Sequence, residues 1–143
     1  MKSNIIKKSE KLYESGDIPE ALQYYSSCLW SGEEENLELA VVWLSDKTLI
    51  PKAGEQFVCF FIGALLLVID RYEEPIRARM WELCKNVLNN MPPCEDRDDT
   101  SDRYVVECNL YRHMNEPKKA LEVILEGLSK KETVSRCTFA GLT

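Results

Sequence analysis

The sequence lacks the residue patterns of the common catalytic sites. It has a single histidine, His113, and it has no CxxC pair, no glycine-rich loop after a strand and no serine in a nucleophile-elbow context. A hydrolase or kinase site needs several such groups to converge. The carboxylates occur in surface-like runs such as Glu33, Glu34 and Glu35. We therefore predict a protein that is not an enzyme and has no cofactor and no bound metal.

An excess of positive charge is also lacking. The chain carries 18 Lys and Arg against 24 Asp and Glu, a formal net charge of -6. Nucleic-acid binding relies on clustered Lys and Arg that neutralise phosphates. The short basic run at Lys7, Lys8 and Lys11 fits the solvated face of an amphipathic first helix. No nucleic-acid partner is expected.

No apolar run is long enough to span a bilayer. The longest uncharged stretch, residues 57–69, has thirteen residues, whereas a transmembrane helix needs about 20. The composition of this stretch predicts a helix that is apolar all round and surrounded by protein. Such a helix either packs on several neighbours of its own chain or has one face covered by a partner. Direct membrane insertion is not expected.

The six cysteines have no secretory signal beside them, because residues 1–11 are charged and contain no apolar segment. This favours reduced thiols and a cytoplasmic location, or a place at an organelle surface held through a partner. Cys94 and Cys137 lie in the least regular segments and are the expected reactive thiols. The other four fall on apolar helical stripes, as small buried side chains do: Cys28, Cys59, Cys84 and Cys108.

One pattern occurs twice, at residues 16–22 and 115–121. Each copy has Gly or Asn, which tolerate left-handed backbone angles, followed by a proline that can start a helix. Stretches with helical apolar spacing lie on both sides. Each copy therefore predicts helix, turn, helix. Ala21 and Ala120 come early in the second helices, where a small residue lets two helices approach closely.

This pattern resembles the tetratricopeptide repeat family, whose unit is a helical hairpin of about 34 residues with small residues near its eighth and twentieth positions. Ser9 and Ala21 occupy those positions in the first copy, and Cys108 and Ala120 in the last. The resemblance covers residues 2–31 and 101–130. A looser middle copy has its turn at residues 70–74. Three hairpins are about the minimum for a folded unit of this type.

The predicted fold is all-α, with antiparallel hairpins stacked as a short α-solenoid of about seven helices. Residues 1–133 form the single domain, and residues 134–143 an irregular C-terminal tail. The helix at 34–48 is either an insertion between hairpins or marks a shift in pairing, and a loose connection follows it. The expected helices are 2–15, 18–31, 34–48, 53–70, 74–91, 102–114 and 117–130.

The resemblance implies a protein-interaction module, an adaptor or scaffold that binds a peptide or helix of a partner protein in a concave groove. The first helix of each hairpin would line this groove. Family members that bind acidic chaperone tails carry a basic clamp, and Ile6 and Glu10 replace part of it here. The implied groove residues are Ile6, Glu10 and Tyr13, then Phe60, Ala64 and Leu67, and then Val105, Asn109 and Arg112.

Two alternatives remain open. Residues 70–74 and 107–117 are similar in order and spacing to the cytosolic helical domain of the peroxisomal membrane anchors that recruit an AAA ATPase pair. This resemblance implies the soluble part of such an anchor. The other alternative is a structural assembly subunit, in which an identical copy or a fixed partner covers the apolar central helix.

Overall fold

A computed structural model describes residues 3–91 and 100–130 of the chain. This part of the chain is helical, with turns and short connections but no strand, so the all-α prediction is confirmed. The predicted tail at 134–143 lies outside the described residues. There are eight helices here, one more than expected: α1 (Asn4–Glu14), α2 (Ile18–Ser31), α3 (Glu38–Leu44), α4 (Leu49–Ala53), α5 (Glu55–Ile69), α6 (Ile76–Asn89), α7 (Thr100–His113) and α8 (Pro117–Lys130).

The two copies of the turn pattern have the predicted backbone conformation. Gly16 has a φ of 91° and Asn115 a φ of 61°, both in the left-handed region. The N–H of the next residue donates to the carbonyl of Leu12 in the first turn (3.0 Å) and to that of Tyr111 in the second (2.8 Å). These bonds satisfy carbonyls that the helix ends leave open. The turns therefore fold α1 onto α2 and α7 onto α8.

The helix predicted at 34–48 begins later than expected, because Glu34 holds the preceding chain in another conformation. Its carboxylate accepts hydrogen bonds from the Ser3 hydroxyl and from the next two backbone N–H groups, at 3.1 and 3.0 Å. Burial alone would raise the pKa of Glu34, but these three hydrogen bonds outweigh it and lower the pKa below its ordinary value. Residues 34–37 are held outside the helix, and α3 begins at Glu38.

The same helix also ends earlier than expected, at Leu44, because Asp46 stabilises a turn. The Asp46 carboxylate accepts from the backbone N–H of Thr48 (2.9 Å) and from its hydroxyl (2.6 Å). The predicted loose connection at 49–54 contains α4 instead. Pro51 lies in the first turn of α4, where a missing N–H leaves no intrahelical bond unmade.

Helix α5 is the centre of the fold and packs against α2, α4, α6 and α7. Its uncharged composition suits this position, since most of its side chains are buried. Three buried aromatic rings join it to its neighbours. The Trp43 ring lies 5.5 Å from Tyr25 and 5.8 Å from Phe61, measured between ring centroids. The Tyr25 hydroxyl donates to the Asn36 carbonyl, so this buried ring leaves no polar group unpaired.

The middle of the chain departs from the repeat pattern. Helix α6 packs against α3 and α7 as well as α5, while α5 packs most extensively on α2. Helix α1 lies mainly on α2. The structure thus has two hairpins at its ends and a less regular centre. Stacking as a solenoid stays a prediction.

Candidate functional site

An apolar groove runs over the outer face of α5, between α2 and α7, with a volume of about 620 Å³. Side chains from all three helices line it, and several of them are large and partly exposed. The exposed fractions are 51% for Trp30 of α2, 39% for Phe60 and 41% for Leu67 of α5, and 37% for Val105 of α7. These four side chains form one contiguous apolar patch, unlike the single exposed apolar residues that are spread over most protein surfaces.

The floor of the groove comes from one stripe of α5. Phe60, Gly63 and Leu67 are spaced three and four residues apart, so they share a helical face. Gly63 has no side chain, and a Cβ placed there would meet no atom within 4 Å. The opposite face of α5, with Phe61 and Leu65, is fully buried. Helix α5 therefore supplies both the core and the groove.

An aromatic pair forms one wall of the groove. The rings of Trp30 and Phe60 are stacked, with centroids 6.3 Å apart and an angle of 18° between their planes. Trp30 lies off the buried stripe of α2 that Leu22, Tyr25 and Leu29 form. A half-exposed tryptophan beside a second aromatic ring is a composition typical of protein-binding hot spots.

Polar groups lie along the edge of the groove. Gln23, Gln56 and Asn109 contribute amide groups, and His113 contributes its imidazole. The His113 Nδ1 atom lies 2.6 Å from the Asp70 carboxylate, and this contact joins the last residue of α7 to the residue directly after α5. Such groups fix the orientation of a ligand, while apolar area supplies most of the binding free energy.

Four of the nine residues predicted for the groove line it. They are Phe60, Leu67, Val105 and Asn109. Arg112 is exposed on α7, and Glu10 is half-buried on α1, but neither lines the groove.

The remaining three predicted residues face the protein interior. Ile6 and Ala64 are buried. Tyr13 stacks on Trp43, with ring centroids 4.7 Å apart, and its hydroxyl donates to Asp46 at 2.6 Å. Ile6 and Tyr13 lie away from the groove because their helix, α1, packs mainly on α2. Helix α2 therefore forms a wall of the groove in place of α1.

The repeat pattern did not predict that Trp30 and Gly63 line the groove. The groove stripe of α5 is 60, 63 and 67 rather than the expected 60, 64 and 67, so Gly63 takes the place of Ala64. Trp30 belongs to a second helix of a hairpin, which the family pattern assigns to the outer surface. The sequence signal that could have identified Trp30 is its position outside the apolar stripe of α2.

The thiols of the described residues offer little reactivity. Cys28, Cys59 and Cys84 are buried, and Cys108 is half-buried. Burial raises the pKa of the Cys84 thiol to about 12, which disfavours the reactive thiolate. The thiols predicted as reactive, Cys94 and Cys137, lie outside the described residues.

The described residues contain neither a cluster of metal ligands nor a helix that could span a bilayer. Within 3–91 and 100–130, no three His, Cys, Asp or Glu side chains come together as a metal site. None of the eight helices in those residues has the length and hydrophobicity of a bilayer-spanning segment.

The groove has the chemistry of a binding surface: an apolar floor, an aromatic wall and polar groups at its edge. No protein-family model, curated protein or solved structure matches this chain. The groove geometry is therefore the basis for assigning a function.

Proposed function

We propose that this protein is a non-catalytic protein-interaction module whose groove between α2, α5 and α7 receives a segment of a partner protein. One observation carries the proposal: Trp30, Phe60, Leu67 and Val105 expose 37–51% of their surface along a single groove. Soluble monomers rarely leave such side chains contiguous and uncovered, because exposed apolar area favours association.

The dimensions of the groove suit a short helix. Its floor runs along α5 from Gln56 to Leu67, which is about 16 Å at 1.5 Å per residue. This length matches about three turns of a partner helix, with apolar side chains at i, i+3 or i+4, and i+7 facing the floor. An extended segment of about five residues covers the same distance.

Leu67 provides a direct test. A photo-crosslinking amino acid at position 67 should capture a partner from native cytosol, whereas the same group at Leu121 should not. Leu121 is 60% exposed on α8, so it matches Leu67 in chemistry and lies off the groove.

Substitutions at the same two sites complete this test. Leu67→Ser should lower partner binding by at least about 1 kcal/mol, because a central anchor is lost. Leu121→Ser should leave it unchanged, and both variants should keep the wild-type circular dichroism. The opposite ranking of the two variants would place the binding surface on α8 and refute the groove proposal.

The structure gives one reason to consider a structural assembly subunit as a second candidate. Leu121 and Leu125 are 60% and 54% exposed, and their spacing puts them on one face of α8. A fixed partner or a second copy would cover this face. Light scattering during size-exclusion chromatography separates the two candidates: a monomer supports the exchangeable groove, and a dimer that survives dilution supports the assembly subunit.

A further inference from the structure

We infer that a pocket between α3 and α6 is a second interaction surface, and that it receives an arginine side chain of a partner protein. The pocket has a volume of about 420 Å³, and ligand sites commonly measure about 300–1,000 Å³. It shares no lining residue with the groove, so this inference does not depend on the proposed function. The pocket is lined by residues 35–38, Val41, Tyr72, Ile76 and Met80.

Apolar side chains form the base and one rim of the pocket. Leu37 and Met80 belong to the core and are 3% and 1% exposed, whereas Ile76 is 53% exposed. Ile76 and Met80 are four residues apart, so they share one face of α6. An aliphatic stem lying across this face would cover the exposed part of Ile76 and remove apolar area from water.

Two carboxylates line the same pocket, and Arg71 pairs with one of them. The Arg71 guanidinium bonds to Glu35. Glu38, in the first turn of α3, is exposed and forms no ion pair with another residue of 3–91 and 100–130. Arg79 lies one residue before Met80 on α6 but does not line the pocket. The Glu38 carboxylate is therefore free to pair with a cation from outside the chain.

Tyr72 places an aromatic ring beside these carboxylates. Its hydroxyl donates to the Glu35 carbonyl at 2.6 Å, which holds the ring against the segment before α3. Burial raises the pKa of Tyr72, and three nearby carboxylates raise it further, those of Glu35, Glu34 and Glu38. A hydrogen bond to the Leu37 backbone acts in the opposite direction and is outweighed. The negative field of the carboxylates thus reaches the Tyr72 side chain.

An arginine side chain matches both parts of this lining. Its aliphatic stem would lie on Ile76 and Met80, and its guanidinium would reach Glu38 and Tyr72. A guanidinium binds a carboxylate through two parallel N–H groups, stacks on aromatic rings and is more weakly hydrated than the ammonium of lysine. An uncharged apolar side chain would cover Glu38 without pairing it, and an acidic side chain would be repelled.

Two short peptides that differ at one position test the inference. Both are blocked at their ends, are about six residues long and have leucines beside the central position. One carries arginine there, and the other carries citrulline, which has the same stem and a planar head but no charge. Binding to the full chain is followed by NMR, through the methyl signals of isoleucine, leucine and methionine.

The arginine peptide should shift the methyl signals of Ile76 and Met80, with a Kd on the order of 1 mM at low ionic strength. The signals of Leu67 in the groove should not move. The citrulline peptide should bind about 5-fold more weakly, because it cannot form the ion pair. This difference should shrink as salt is added. Equal binding of the two peptides would overturn the inference, and so would shifts at Leu67 without shifts at Ile76, or no binding at all.

Three variants locate the contacts. Glu38→Gln should bind the two peptides equally, whereas Glu122→Gln should keep the 5-fold preference, because Glu122 is exposed on α8 and does not line the pocket. Ile76→Ser should weaken both peptides and leave their ratio unchanged, since it removes apolar surface and no charge. All three should keep the wild-type circular dichroism. The same loss of preference in Glu38→Gln and Glu122→Gln would show that net charge selects the peptide and would overturn the inference.

A second copy of the chain is the competing occupant of this pocket. Methyl signals of Ile76 and Met80 that move with protein concentration, without any peptide, would place a second copy there and overturn the inference. Signals that stay constant on dilution would support a pocket that a partner protein fills.

Discussion

Gly63→Ala should make the protein more stable, which is the opposite of the usual effect of a substitution in a central helix. Gly63 lies inside α5, eight residues beyond its first residue, Glu55. Alanine is favoured over glycine in a helix interior by about 0.5–1 kcal/mol, because glycine loses more backbone freedom on folding. The added Cβ meets no atom within 4 Å, so no steric penalty offsets this gain. The free energy of unfolding should rise by that amount.

Urea denaturation followed by circular dichroism measures this change. With an m-value of roughly 1–3 kcal/mol/M, the midpoint should rise by roughly 0.2–1 M at unchanged slope. Gly16→Ala is the matched control. Gly16 has a φ of 91°, which alanine adopts only at a cost of about 1 kcal/mol, so this variant should lower the midpoint. A lower midpoint for Gly63→Ala would falsify the assignment of Gly63 to an open groove floor.

Two further changes test the packing and the electrostatics. Ala120 is only 4% exposed at the crossing of α7 and α8. Ala120→Leu should therefore overpack the crossing and lower the free energy of unfolding by about 1–3 kcal/mol. An unchanged urea midpoint would show that the crossing has room for the larger side chain. The hydrogen bonds from Thr48 and Tyr13 lower the pKa of Asp46 in the folded state. The ionised carboxylate therefore stabilises the fold at a pH above the pKa of Asp46 in the unfolded chain. This stabilisation is lost as the pH falls through the pKa of Asp46 in the folded protein. Asp46→Asn should therefore lower the urea midpoint at pH 7 and make its decline between pH 5 and 3 shallower; parallel pH profiles for variant and wild type would contradict this.

Local signals in the sequence were sufficient to predict the turns. Gly16 and Asn115 take the left-handed conformation that their residue types allow, and the helices on both sides follow from apolar spacing. The helix predicted at 34–48 was wrong at both ends for a physical reason. The Glu34 carboxylate bonds to Ser3, 31 residues away in sequence, and no local pattern reveals such a partner.

The groove was predictable on α5 and α7 but not on α1. Phe60 and Leu67 are exposed because they lie on the one face of α5 that no neighbouring helix covers. Tyr13 was expected on the same surface. Its position depends instead on Trp43, which lies 30 residues further along the chain and stacks on its ring. Periodicity identifies the faces of a helix, but the choice of neighbour for each face is a property of the tertiary packing.

The exposed apolar area of the groove limits how tightly it binds an occupant. The exposed parts of Trp30, Phe60, Leu67 and Val105 amount to an area on the order of 300 Å². Covering that area would contribute about 7 kcal/mol at 25 cal/mol per Å². Association itself costs about 4–15 kcal/mol in lost freedom of motion, so apolar contact with these four side chains gives weak and reversible binding at best.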